Sequence, residues 1–223
     1  GPISAQCTPP GGLLLFARGK YDSHAPLQLF CMDAGDQSCL SAFSHSGETG
    51  VERIVNFTPS QACYVARNST FELSTKLGIA VDDTAIYLRS TLRNTSNEVR
   101  RIRFCAVCHI MQANAVQAPW DMPELYQTCG FANSPTTGIY MHSRDPEGRR
   151  ENHKYSMFST SFPPEEAEIV LRDYTGSGSC AAPAALHNRR WRIQNDHPAD
   201  FLLPQAEDCN VGTPGIAALR SRI

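Results

Sequence analysis

Phe71-Glu-Leu-Ser-Thr-Lys-Leu-Gly-Ile79 is the stretch that decides the fold class. Phe71, Leu73, Leu77 and Ile79 fall on one side of an extended chain, and Glu72, Ser74 and Lys76 on the other. A period of two marks a strand with one face in a core and the other in water. Residues 84–92 repeat the pattern through Ile86, Leu88 and Leu92, and Asp82-Asp83 supplies the turn between the two strands. Residues 99–111 form the longest expected strand. Ile102, Phe104, Ala106, Cys108 and Ile110 share one side of it, while the other side passes from Arg101 and Arg103 to Cys105, Val107 and Met111. A side that turns from charged to apolar predicts a central strand, covered on both faces along its second half.

Outward from this trio, short strands are expected at 13–17, 27–32, 53–57 and 63–66. Others are expected at 138–142, 155–159, 168–174 and 190–194, after a loop-rich stretch over 112–134. Gly, Pro, Ser and Asn clusters divide them, the punctuation of an all-β chain. Pro163-Pro164-Glu165-Glu166-Ala167 reads as a helical turn opened by proline, and no longer helical period is present. The expected architecture is all-β: a two-sheet antiparallel β-sandwich stapled by disulfides, with long loops and little helix. It is read as a single domain over residues 3–223, with Gly1-Pro2 as a scar of tag removal. A closed, lipocalin-like barrel is the competing arrangement.

Nine cysteines and three Asn-x-Ser/Thr tripeptides point to an oxidising compartment. Asn56, Asn68 and Asn94 are the expected glycosylation sites, of which Asn68 and Asn94 fall in turns and Asn56 in a strand. Cys31, Cys39, Cys63, Cys105, Cys108, Cys129, Cys180 and Cys209 are the expected disulfide partners, with Cys31–Cys39 the first bridge because a turn-rich loop joins them. With Cys7 the count is odd, which leaves one thiol buried or bridging a homodimer. The expected setting is therefore a secreted protein or an extracellular ectodomain.

The net charge of −2 argues against a general nucleic-acid partner, whose grip on phosphate needs a basic excess. No apolar run approaches the length of a membrane span. Seventeen of the 20 basic residues are arginine, since only Lys20, Lys76 and Lys154 are lysine. Arginine's planar fork suits protein interfaces.

Cys105-Ala-Val-Cys108-His109 matches a haem-attachment or redox pattern, but residues three apart in a strand point to opposite faces. No histidine pair has metal-ligand spacing, and neither metal nor cofactor is expected. Two features suit recognition. Trp120, Asp121 and Met122 lie between Pro119 and Pro123, a stiffened loop that offers an aromatic anchor. Arg190 and Arg192 flank Trp191 and, with Arg101 and Arg103, could form a basic patch.

These residues together predict a non-enzymatic extracellular glycoprotein that binds another protein. A viral or other pathogen immunomodulator that sequesters a host cytokine or chemokine, or engages a host receptor, is the leading form of that expectation. A secreted redox, haem or metal enzyme built on Cys105, Cys108 and His109 is one alternative, and a structural coat or matrix protein is the other.

Overall fold

A computed structural model describes residues 3–11, 13–17, 20–24, 27–44, 48–108, 111–112, 127–133, 137–143, 154–161, 164–179, 182–187, 191, 193–194 and 215–222. Its strands are β1 (Ile3–Cys7), β2 (Leu13–Ala17), β3 (Lys20–His24), β4 (Leu27–Asp33), β5 (Cys39–Ser41), β6 (Glu52–Thr58), β7 (Gln61–Arg67), β8 (Phe71–Ile79) and β9 (Ile86–Asn94). There follow β10 (Ile102–Cys108), β11 (Met111–Gln112), β12 (Gln127–Asn133), β13 (Thr137–Ser143), β14 (Lys154–Ser159), β15 (Glu166–Val170), β16 (Ile193–Gln194) and β17 (Gly215–Arg222). One short helix, α1 (Leu171–Thr175), and a 3-10 turn over Ala184–His187 complete the described elements. The chain is thus mostly β with little helix, as the alternating sequence predicts.

Four antiparallel sheets carry these strands. The largest runs β16-β15-β17-β10-β4-β5, and a second runs β6-β7-β8-β9. Two smaller sheets, β1-β2-β3-β11 and β12-β13-β14, complete the set. The core lies between the two main sheets. Leu27, Leu29, Cys31, Ile102, Ala106 and Cys108 from the six-stranded sheet join Ala62, Tyr64, Ala66, Phe71, Leu73 and Leu77 from the four-stranded one in a single apolar cluster. Ile139 of β13 enters the same cluster. At about 25 cal/mol per Å² of apolar surface, burying whole strand faces in this way is the main favourable term for such a fold.

β10 is the central strand that its sequence anticipates. It lies between β17 and β4, and its residues from Cys105 onward are all buried. β4 beside it is buried at every position, which explains why Leu-Gln-Leu-Phe-Cys-Met-Asp lacks clean alternation. The expected long strand ends earlier than foreseen, at Cys108, and the chain resumes as β11 in a different sheet.

Two local readings are corrected. Glu166 and Ala167 begin a buried strand, not a helical turn, because Glu166 pairs with Arg220 and Ala167 with Leu219 across β15 and β17. The expected strand over 168–174 also stops at Val170. There the chain leaves the sheet as α1 and folds Tyr174 back beneath it, fully buried. Within the expected loop-rich stretch 112–134, residues 127–133 form β12.

The disulfide staple is not found among the described residues. Cys7, Cys31, Cys39, Cys63, Cys105 and Cys108 are all free thiols. Cys31 lies opposite Leu40, and Cys39 opposite Met32, so their side chains leave the β4–β5 ladder on opposite faces. The loop between them is closed by hydrogen bonds instead. Gly35 N–H donates to Asp33 Oδ1 at 2.7 Å, Asp33 N–H to the Ser38 carbonyl, and Gln37 N–H to the Asp33 carbonyl. Arg100 then clamps Asp33 and Asp36 from outside. The side chain of Cys129, and all of Cys180 and Cys209, lie outside the described residues.

Candidate functional site

The six-stranded sheet has a second face, turned away from the main core. Register places Phe30, Cys105 and Arg220 in one cross-strand row on that face, with Glu166 as Arg220's next neighbour. α1 and the 3-10 turn fold over the row. Tyr174, Ala185, Leu186 and Trp191 pack with Phe30, Cys105 and Val107 as a separate apolar cluster. A cationic side chain is buried in the middle of it.

Arg220 is only 3% exposed. Its Nε donates to Glu166 Oε2 at 2.6 Å, and its Nη2 also bonds that oxygen. The Trp191 ring covers the guanidinium, with Cζ 4.4 Å from the ring centroid. Such a cation–π contact gains strength where water is excluded. Trp191 is itself fixed, since its Nε1 donates to the Ala185 carbonyl at 2.9 Å and its ring meets Tyr174 edge-on at 6.2 Å. Two residues along β15 from Glu166, Glu168 Oε1 accepts the N–H groups of Ile169 and Val170. Burial pushes the Cys105 thiol well up from its ordinary range, although the Arg220 charge opposes the shift.

This arrangement is a clasp between cover and sheet, and its carboxylates are already engaged. The same holds for the other buried acids described. Asp33 is held by Gly35 N–H and Arg100, and Glu48 by a two-pronged pair with Arg53.

The expected sites fare unevenly. Trp120, Asp121 and Met122, with Arg190, Arg192 and His109, lie outside the described residues. Arg101 is exposed just before β10, and Arg103 is half-buried on the clasped face, opposite Met32. Cys105 and Cys108 project to opposite faces of β10. Cys105 joins the clasp and Cys108 the main core, where burial raises its pKa to about 12. A thiolate is what a redox pair or metal site requires, and burial disfavours it at both positions. Among the described residues no cluster of three or more His, Cys, Asp or Glu has the placement to hold a metal.

Turn chemistry accounts for two of the sequons. Asn68 Oδ1 accepts the N–H groups of Thr70 and Phe71 at the β7–β8 turn. Asn94 Oδ1 accepts from Ser96, and its Nδ2 donates to the Glu98 carbonyl. Asparagine is favoured at such turns for that capacity. Asn56 is exposed in mid-strand on β6, opposite Cys63.

The residues that sequence reasoning missed are Glu166 and Arg220. Nothing local marks them, because each needs the other from 54 residues away.

Comparison with known proteins bears on the function. The family model for the glycosyl hydrolase 94 supersandwich domain matches residues 29–200. No curated protein matches the chain. The match overturns the expectation of a viral or pathogen glycoprotein that sequesters a cytokine or chemokine. The matched family describes a domain of carbohydrate-active enzymes. It agrees with the sandwich of antiparallel sheets.

Proposed function

The chain belongs to the glycosyl hydrolase 94 supersandwich family, and from that premise we propose that it serves a carbohydrate-active enzyme as a non-catalytic accessory domain. The observation that carries this reading is the family match over residues 29–200, most of the chain. The state of the acids supports it. A glycosidase needs two carboxyl groups about 5–9.5 Å apart that face a sugar from either side of the scissile bond. Here Glu166, Glu168, Asp33 and Glu48 bind guanidinium groups or backbone N–H groups that hold the fold together.

In this role the sandwich contributes rigidity. Its doubly covered central strands β10 and β4 form a stiff plate, and the Glu166–Arg220–Trp191 clasp locks the cover to that plate. Such a plate presents its outer surface in a fixed shape to a catalytic module or to substrate.

The test is to incubate the chain with aryl glycosides and unmodified oligosaccharides and to follow sugar release by chromatography. No turnover is expected. Release of sugar in proportion to the concentration of the chain itself would overturn the accessory reading.

A further inference from the structure

The four-stranded sheet leaves one face open to solvent, and its register arranges that face in rows. One row contains Thr58, Gln61, Gly78 and Tyr87, and the next contains Asn56, Cys63, Lys76 and Arg89. Three features of these rows are costly or unusual in a plain solvated sheet.

Tyr87 is the first. It is 53% exposed, and its ring lies down against the sheet. The phenol end lies across Gly78, where a methyl group would come within 2.5 Å of Cζ and Oη. Glycine within a strand weakens it, and it often marks a place where another group approaches closely. Here it lets an aromatic ring lie down on the sheet and present a surface to solvent.

The second is the pair Lys76 and Arg89. They stand directly opposite each other on neighbouring strands, and both are exposed. Among the described residues neither has an acidic partner, whereas the charged row beyond them balances itself through Arg67, Glu52 and Glu72. Like charges directly opposite destabilise a sheet. A ligand anion would relieve that repulsion.

The third is the polar company. Asn56 and Gln61 bring amide groups to the same two rows, able both to donate and to accept.

We propose that this open face is a carbohydrate-binding site for a saccharide that carries an anionic group. Tyr87 supplies the platform for the sugar ring, and Lys76 and Arg89 hold the anion. The apolar C–H face of a pyranose packs on the electron-rich face of an aromatic ring, as C–H and N–H groups do elsewhere. The choice of a saccharide rests on the accessory-domain reading. The anionic group rests on the Lys76–Arg89 pair alone.

Calorimetric titration with trigalacturonic acid, a sulfated tetrasaccharide and neutral cellotriose tests this. Saturable binding of at least one anionic probe is expected, ten-fold or more tighter than cellotriose, and Tyr87→Ala should weaken it at least ten-fold. The double variant Lys76→Gln/Arg89→Gln should lose the preference for the anionic probe while its melting temperature rises, which separates lost binding from lost folding. The proposal is overturned if neither anionic probe binds, if binding is indifferent to Tyr87→Ala, or if the double variant keeps the preference. These failures would leave the accessory reading standing, because that reading falls only if the chain itself turns over a glycoside.

Discussion

Arg220 and Glu166 meet across β17 and β15 with Nε 2.6 Å from Oε2, and Trp191 seals the pair from water. Two charges in so dry a place are held by each other. Removing one strands the other, whereas removing both need not. Arg220→Met should therefore lower unfolding free energy by about 3–5 kcal/mol, and the double variant Arg220→Met/Glu166→Leu should recover most of that loss. A urea titration of the four corners of this cycle gives the coupling directly.

Buried thiols make the fold sensitive to alkali. Below the ordinary thiol value of 9.0, Cys108 is protonated both folded and unfolded, so its contribution to stability is complete. Above it the unfolded thiol ionises, while burial keeps the folded one protonated to about pH 12. Stability should fall across that window by about 1.4 kcal/mol per pH unit for each such thiol. Cys108→Ala should make the decline shallower without changing its onset, as read from urea midpoints between pH 8 and pH 11.

Gly11 holds φ at +104°, and its Cα faces the Phe43 ring too closely to admit a methyl group. Gly11→Ala adds both a strained backbone and a collision with a buried aromatic. We expect a loss on the order of 2–3 kcal/mol, seen as a lower urea midpoint with unchanged slope.

Asn68 acts through its side-chain oxygen, which takes the N–H groups of Thr70 and Phe71 at 2.9 and 2.7 Å. In protein from a host that attaches no glycans, Asn68→Ala should cost about 1–2 kcal/mol, while Asn68→Asp keeps the acceptor and stays close to the parent. Equal melting temperatures for all three proteins would show that the turn does not depend on this oxygen.

The strands that the sequence makes legible are those with one wet face. Phe71–Ile79 appears with the boundaries its alternation predicts. The hairpin of β8 and β9 is symmetric about Asp82-Asp83, so pairing Gly78 with Tyr87 follows from the turn itself. Strands covered on both sides lose this signal. β17 reads Gly-Ile-Ala-Ala-Leu-Arg-Ser-Arg, and nothing in that run announces that Arg220 enters the clasp. Glu166 reads locally as helix-forming beside two prolines, and only a partner far along the chain reveals it as a buried strand residue. Counting cysteines misled more seriously. Cysteine is a good small core residue as well as a cross-linker, and in Cys31, Cys105 and Cys108 the structure uses it as the former.

The position of β17 has a consequence in time. It is the last of the described strands to be synthesised, yet it lies inside the largest sheet, with β15 and β16 on one side and β10, β4 and β5 on the other. Until it arrives, those two groups share no ladder, and the edges of β10 and β15 remain open. Pairing 103–108 with 217–222 also spans half the chain, the kind of distant contact that slows folding. A nascent chain therefore has to wait, with two half-sheets exposed, for a strand that is made after both and inserted between them.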